Sequence, residues 1–456
     1  VTSAEPRRRS WPGLAQLVGP ALLAALVGAW SITRPALWRD ESVSVHFARE
    51  PLGDAWREWG EVDAVHAAYD LLLRLTIWID PVELGVRLPS LVGFVVATVG
   101  VVLVGRRLMG RTAATCAGVV YAILPVTSRF AQEGRSYALV SMVAVLSALA
   151  LLRMVEQPSP GRVVAYSASV AALGCLHLYA LLLLAAHGAY VLLAARQIAR
   201  RVALAWAGAA VVLLPLAVVA AGQRAGQLGW IRRPGLSELR GLVDQIGGTD
   251  VATVVLALLA VSGAWVLRRS PLPLLWAVLP VAVSWLVSQV QPVYADRYVL
   301  YVVPAVALLV GAGADGVARL LGRGRPVALG AILVVVALAV LPGHRDIRAP
   351  DRRPDDLRSL TRDLAAEIAP GDAVVAVPAS FLKFVDAYEG PFERLVVAQA
   401  DSVPVGTDRV WVVTRGYPSH RGAPELARLN RDFHREQVRS YGVTSLSLWT
   451  LRTPSA

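Results

Sequence analysis

Leu88-Pro89-Ser90-Leu91-Val92-Gly93-Phe94-Val95-Val96-Ala97-Thr98-Val99-Gly100-Val101-Val102-Leu103-Val104-Gly105-Arg106-Arg107 is the stretch on which the fold turns. From Leu88 to Gly105 it carries no charge, and it ends on two arginines. The hydrocarbon core of a bilayer, about 30 Å thick, takes about 20 helical residues to cross. The run from about 86 to 104 therefore reads as a membrane-spanning helix with a basic end. Ten further apolar runs lie at about 14–33, 112–128, 137–154, 162–176, 178–195, 202–221, 251–267, 272–290, 298–318 and 326–342. The composition agrees: of 456 residues 55% are hydrophobic and only 17% charged, with a mean hydropathy of +0.53. A soluble domain carries about 25% charged residues. This excludes a soluble globular enzyme, a disordered chain and a nucleic-acid-binding domain. The net charge of +12 is not a nucleic-acid signal, because Lys383 is the single lysine and many of the arginines sit in short loops between apolar runs. Such loops are where a membrane protein keeps its cytoplasmic positive charge.

Those loops set the topology. Arg106-Arg107 with Arg111, Arg153 with Arg162, Arg196 with Arg200-Arg201, Arg268-Arg269, and Arg319 with Arg323 and Arg325 all fall on one side, with Arg7-Arg8-Arg9 at the N-terminus. The first apolar run is longer than a signal-peptide core, so it reads as a retained helix that starts in the cytoplasm. One more apolar run, 66–79, competes with 86–104 for a single crossing. It is shorter and contains Asp70 and Arg74, and a charge at a helix centre costs about 2.5–3.5 kcal/mol on insertion. We read 66–79 as a short helix in the outer interface, with Asp70 and Arg74 on one face. Eleven crossings follow, with the N-terminus inside and the C-terminus outside the plasma membrane. Trp38, Trp56, Trp59 and Trp78 in the outer segment 34–85 suit headgroup level. Cys116 and Cys175 each lie within an apolar run and form neither a disulfide framework nor a metal cluster.

After Gly343 the composition changes, which divides the chain into 1–343 and 344–456. Arg345 to Arg353 reads as a charged linker and Asp355–Ala369 as an amphipathic helix ended by Pro370-Gly371. Ala373–Val377, Arg394–Ala398, Arg409–Thr414 and Ser445–Leu451 read as strands, and Pro424–His434 as a helix. The result is a small extracytoplasmic α/β domain. It holds no phosphate loop, nucleophile elbow or metal-ligand spacing, and the chain shows no internal repeat.

Three charged motifs then fall at outer helix ends. In Trp38-Arg39-Asp40-Glu41-Ser42-Val43-Ser44 two carboxylates follow the first membrane helix directly, at the boundary where a lipid-borne substrate presents its headgroup. A carboxylate near a hydroxyl and partly desolvated serves as a general base; the bland alternative is a pair of solvated loop acids. In Gln132-Glu133-Gly134-Arg135-Ser136-Tyr137, Arg135 suits a phosphate because its planar fork donates two parallel hydrogen bonds. There Glu133 would orient it or a sugar hydroxyl; a structural ion pair is the alternative. Tyr294-Ala295-Asp296-Arg297-Tyr298 is the third, and it contributes Asp296, Arg297 and Tyr298. Weaker candidates are His66 with Tyr69 for a headgroup, and Arg87, Arg232 and Arg233 for lipid phosphate or water. His177 and Tyr179 read first as structural, as does His187 within a membrane helix.

The order Trp38-Arg39-Asp40-Glu41, His66-Ala67-Ala68-Tyr69 leading into Leu71-Leu72-Leu73-Arg74, Val86-Arg87-Leu88-Pro89-Ser90, and Gln132-Glu133-Gly134-Arg135-Ser136-Tyr137 resembles family 39 glycosyltransferases of the GT-C fold. These include protein O-mannosyltransferases and the aminoarabinose transferase acting on lipid A. The resemblance covers about 34–155, and Asp296-Arg297-Tyr298 matches a later Arg-Tyr segment more loosely. It implies that Asp40 is the catalytic base, with Glu41 beside it. It also implies a polyprenyl-phosphate sugar as donor, inversion at the anomeric carbon and no metal cofactor as a rule. Relatives usually show His-Pro-Pro where this chain has His66-Ala67-Ala68, a departure that bears on His66, and the C-terminal domain matches nothing that would name an acceptor.

The expectation is an integral membrane glycosyltransferase that moves a mannose-like hexose or a pentose to a glycan, lipid or protein acceptor outside the cell. A lipid or glycan transporter is the rival of another class. Transporters carry ionisable groups near the bilayer midplane within repeats, whereas these charges sit at helix ends. A membrane scaffold without activity is the third reading, against which the intact Asp40-Glu41 pair argues.

Overall fold

The computed structural model describes residues 11–229, 231–349, 352–378, 381, 386–388, 396–397, 403–416 and 424–452. Arg7-Arg8-Arg9 and Lys383 lie outside these. All eleven apolar runs form helices. They are α1 (Trp11–Ala29), α5 (Val82–Leu108), α6 (Arg111–Ile123), α8 (Tyr137–Glu156), α9 (Pro160–Leu176), α10 (Leu183–Ala194), α11 (Ala199–Leu228), α13 (Asp250–Val266), α14 (Leu272–Ser288), α15 (Val303–Arg319) and α16 (Arg325–Asp346). Among the described residues five helices are long and apolar enough to cross a bilayer, and seven if each of two bent pairs counts as one span. Of the remaining expected crossings, α1, α10 and α14 are shorter apolar helices, and α9 spans 17 residues.

The bends have local causes. The run at 112–128 breaks by 61° between α6 and α7 (Pro125–Ala131). Leu124 precedes a proline, which pushes it out of the helical region, to φ −68° and ψ 133°. The segment 222–250, between two of the apolar runs, holds α12 (Leu236–Gly247), bent by 93° from α13. Gly248 ends α12 at φ +76°, a left-handed value that glycine adopts without strain. Thr249 then caps α13, its side chain accepting from the Ala252 N–H at 3.1 Å.

The stretch 66–79 is shorter than expected. A 3-10 turn, Ala64–His66, leads into α4 (Ala67–Leu73), and the remainder to 81 is turns. Arg74 is not spent on the face of α4. It donates to the carbonyls of Phe47 at 2.9 Å and Glu50 at 2.6 Å, at the C-terminal end of α2 (Arg39–Arg49). Of the tryptophans expected at an interface, Trp56 and Trp78 are exposed but Trp59, on α3 (Leu52–Glu61), is buried.

The chain divides into two compact units. One comprises residues to 30, 56–69 and 87–347; the other comprises 31–55, 70–86 and the chain from 348. The last of these breaks falls at 347/348, and two N-terminal pieces group with the C-terminal part.

Within the first unit, Arg106 donates to the Gly13 carbonyl at 2.9 Å and Arg107 pairs with Glu156. The start of α1 therefore shares an end with the C-termini of α5 and α8. There, too, buried Asp315 on α15 holds Arg319 at 2.6 Å and Arg325 at 2.6 Å, so two arginines of a basic loop are paired. The opposite end of α1 is held by Gln132, whose Nε2 donates to the carbonyls of Gly28 and Trp30, both at 2.7 Å. Close helix contact rests on small residues. A Cβ at Gly313 would lie 1.9 Å from the Leu259 carbonyl oxygen, and one at Gly263 1.8 Å from that of Leu309. Such backbone contact is how membrane helices pack without a hydrophobic drive.

In the second unit, α17 (Leu357–Glu367) and α18 (Pro424–Asp432) accompany a five-stranded sheet in the order β2-β1-β3-β5-β4. Its strands are β1 (Ala373–Val377), β2 (Val396–Val397), β3 (Arg409–Arg415), β4 (Phe433–Tyr441) and β5 (Thr444–Leu451). The pairs β1–β2 and β1–β3 are parallel, whereas β3–β5 and β5–β4 are antiparallel. Strand β1 is buried on both faces: Val374 and Ala376 pack with α17 residues Leu360 and Leu364, while Ala373 and Val375 pack with Leu429 of α18. The expected α/β domain is thus present, and the expected strands at 373–377, 409–414 and 445–451 are observed. Of 394–398 only Val396–Val397 is described. Strand β4 was not legible: Phe433 and Tyr441 are buried at its ends, and His434, Arg435 and Glu436 between them are exposed. Charged edge strands of this kind avoid edge-to-edge pairing and lack the apolar alternation of a central strand.

Candidate functional site

In the second unit, Trp38 is extended at φ −109° and ψ 170°, and Arg39 opens α2. Asp40 and Glu41 therefore occupy its first turn, where the N-terminal dipole favours negative charge. Their environments differ. Glu41 is fully buried and its Oε2 accepts from the Trp38 N–H at 3.4 Å, which satisfies a donor that a helix start leaves over. Asp40 keeps 20% of its side chain exposed, with Arg39 Nη1 3.6 Å from its carboxylate. Asp40 is therefore the accessible carboxylate of the pair, and Glu41 shapes the turn.

In the first unit, four segments remote in sequence converge. His66 ends the 3-10 turn Ala64–His66, which α11 fixes through Gln223: its Oε1 accepts from the Ala64 N–H at 3.0 Å and its Nε2 donates to the Trp59 carbonyl at 2.8 Å. Arg135 lies in the short loop before α8, where the Ser90 hydroxyl on α5 donates to the Arg135 carbonyl at 3.0 Å. His177 follows α9. Arg297 lies on the 3-10 segment Asp296–Val302, and its N–H donates to the Asp296 carboxylate at 2.7 Å. Asp296 thus shapes the turn that carries Arg297. Further back, Trp276 Nε1 donates to the Tyr301 carbonyl at 2.9 Å, fixing the same segment against α14.

The electrostatics show the four groups in one neighbourhood. His66 is held well below the usual imidazole range by burial first, and then by Arg135, His177 and Arg297. His177 is pushed down to about 4 by burial, then by Arg135 and Arg297. Both imidazoles are neutral at physiological pH, so the positive charge resides on the two arginines. Aromatic rings surround them. The His177 ring lies 5.0 Å from that of Tyr298 and 6.3 Å from that of Tyr137; Tyr179 is 5.8 Å from Tyr298, and the Arg297 guanidinium stands over the Tyr298 ring at 5.6 Å. Two guanidinium groups among neutral, hydrogen-bonding rings suit an anion carrying hydroxyl groups.

The structure therefore brings together His66, Arg135, Tyr137, Arg297 and Tyr298 from the sequence candidates. Glu133 is buried in the Arg135 loop, and Tyr69 and Arg87 are buried too, which takes Arg87 out of water. Arg232 is exposed, and Arg233 Nε donates to Gln289 Oε1 at 3.0 Å. His177 and Tyr179, read from sequence as structural, stand within the cluster. Gln223 gave no signal at all, because a glutamine in an apolar helix announces no partner. His187 does have a structural partner, with its Nδ1 2.9 Å from the Tyr166 hydroxyl. Among the described residues no group of three or more His, Cys, Asp or Glu side chains is arranged to hold a metal ion.

Residues 67–221 match the family model described as dolichyl-phosphate-mannose-protein mannosyltransferase. No curated protein sequence matches. Among solved structures, the chain is similar to ArnT from Cupriavidus metallidurans in the apo state. The TM-score is 0.63 at 16% identity, over 96% of this chain and 98% of that one. The same enzyme bound to undecaprenyl phosphate gives 0.63 at 14% identity, again over 96% and 98%. The apo oligosaccharyltransferase of Archaeoglobus fulgidus gives 0.56 at 13% identity, over 94% of this chain and 73% of that one. The chain thus has the GT-C fold of ArnT, and the family match over residues 67–221 agrees with the resemblance read from its motifs.

Proposed function

We propose that this chain is a polyprenyl-phosphate-sugar-dependent glycosyltransferase of the plasma membrane. The observation that carries the reading is the convergence of Arg135 and Arg297 with neutral His66 and His177 in the first unit. A phosphodiester sugar lipid has the complementary features: one phosphate charge, a ring of hydroxyls and an apolar tail. The likeness to the structure of ArnT bound to undecaprenyl phosphate supports a lipid of that class.

In the proposed reaction Asp40 takes the proton of an acceptor hydroxyl. The freed oxygen attacks the anomeric carbon, and the bond from that carbon to the phosphate oxygen breaks. Polyprenyl phosphate leaves with the bonding pair, and Arg135 and Arg297 stabilise its growing charge. Attack opposite the leaving group inverts the anomeric centre. The sugar is a mannose-like hexose or a pentose, and the acceptor is a glycan, lipid or protein outside the cell. The topology that goes with this has eleven crossings, the N-terminus inside and the α/β domain outside.

The test is turnover of synthetic polyprenyl-phosphate mannose and its pentose counterpart by purified protein, with Asp40→Asn beside it. Transfer by the wild type and its loss in a folded Asp40→Asn variant is the expected result. A folded variant that keeps most of its turnover would remove Asp40 from the chemistry.

A further inference from the structure

Within the second unit, the backbone that leads to Asp40 is held by side chains more than 300 residues later in the chain. Arg358 donates to the carbonyls of Thr33 at 2.6 Å and Arg34 at 3.2 Å. The Tyr388 hydroxyl accepts from the Leu37 N–H at 2.7 Å and donates to Glu83 Oε1 at 2.7 Å. Glu83, itself buried, pairs with Arg358 at 2.6 Å. Asp355 completes the set: its Oδ2 accepts from the Arg39 N–H at 3.2 Å.

That last contact is singular in kind. Arg39 is the first residue of α2, and the first N–H groups of a helix have no partner inside it. A carboxylate there satisfies a donor and complements the helix dipole. Asp355 cannot drift: it is 1% exposed, its Oδ1 accepts from the Thr444 hydroxyl at 2.7 Å and its Oδ2 from Arg415 Nη2 at 3.2 Å. Its backbone also bridges to Gly442, where φ is +72° and a Cβ would lie 2.0 Å from the Pro354 carbonyl oxygen. Only glycine allows that approach, and it seats the β4–β5 hairpin against Asp355. At the other end of α2, Arg74 donates to the last carbonyls. The helix is thus held at both termini, and a single peptide bond separates the Asp355 contact from Asp40.

We infer that Asp355 is a positioning residue: through the Arg39 N–H it sets the start of α2 and so the place of the Asp40 carboxylate. The α/β domain then acts as a rigid mount for the base, whatever else it binds. This rests on the reading of Asp40 as general base. A catalytic group must be held within about 0.5 Å of its working place, and a misplacement of about 1 Å can cost about 100-fold in rate.

The test uses the purified full-length chain and two readouts. In hydrogen–deuterium exchange, Asp355→Ala should speed exchange of the amides of 37–42 by about 10-fold or more, while 409–415 and 444–451 keep their protection. Asp355→Asn keeps an acceptor oxygen for Arg39 and should stay near wild type there. With synthetic polyprenyl-phosphate mannose as donor, Asp355→Ala should lower kcat by about 10- to 100-fold with little change in donor KM, and Asp355→Asn should recover most of it. Unchanged exchange at 37–42 overturns the inference. So does a rise spread equally over the sheet strands, which means that Asp355 only keeps the domain folded. If Asp355→Ala does not fold, Tyr388→Phe removes the acceptor of the Leu37 N–H and a donor to Glu83, and it must speed exchange at 37–42 while 409–415 and 444–451 keep their protection. If the wild type turns over no sugar lipid, the proposed function fails, while the exchange readout still decides the mounting of α2.

Discussion

Arg297→Ala separates a phosphate-binding role from a structural one. The Arg297 guanidinium lies over the Tyr298 ring, and with Arg135 it helps keep His66 and His177 neutral. If it meets the leaving phosphate, its loss removes one charge-assisted donor from a water-poor site, worth about 2–4 kcal/mol of transition-state stabilisation, or roughly 30- to 1,000-fold in rate. The contact with Tyr298 is worth up to about 2 kcal/mol when desolvated and bears on stability. The two quantities are read on one preparation: turnover of polyprenyl-phosphate mannose and the melting temperature in detergent. The expected outcome is a rate loss in the stated range with a modest fall in Tm. Arg297→Lys should recover only part, because an ammonium supplies charge without the planar fork. Removing the guanidinium also removes one of the influences that hold down the His177 imidazole. Its titration, followed by NMR, should therefore move upward from about 4, with burial still keeping it below the usual value. A variant whose stability falls while activity per folded molecule stays level would refute the phosphate role and leave Arg297 as a tie between helix ends.

Three further outcomes follow from the same geometry. His177 has a lower pKa in the folded chain, about 4, than the ordinary value near 6.5 in the unfolded one. The unfolded state therefore binds the proton first, and stability should fall as pH drops from about 6.5 to about 4, by up to about 3 kcal/mol; in His177→Gln the Tm-against-pH curve should be flatter in that window. Gly313→Val should abolish stable folding, because a Cβ there lies 1.9 Å from the Leu259 carbonyl oxygen, whereas Gly330→Val, with open space at its Cβ position, should fold and melt near wild type. A cysteine at exposed Gly110 should be labelled from the cytoplasmic side only, in a chain with Cys116 and Cys175 removed, and labelling from outside would reverse the topology.

The sequence alone determined the membrane class, the eleven apolar helices and the alternating strands of the C-terminal domain. Each of these depends on runs of neighbouring residues, since burial in lipid or against a sheet face writes itself into local hydropathy and period. It also marked Arg135, Arg297 and Asp40, since a charge at the end of an apolar run is conspicuous. Tertiary structure decided what those charges do. His66, Arg135, His177 and Arg297 come from four segments, and no local pattern records that helices of the first unit bring them together. Glu41 and Asp40 are adjacent and chemically alike, yet one is buried on the Trp38 N–H and the other is accessible; only the way α2 is seated distinguishes them. Charged β4 concealed itself for a related reason, because an exposed edge strand is free of the apolar constraint that makes a strand legible. Asp355 and Tyr388 were silent too. A side chain that satisfies a backbone N–H far along the chain needs only an oxygen in the right place, and hydropathy does not encode where a fold will put one.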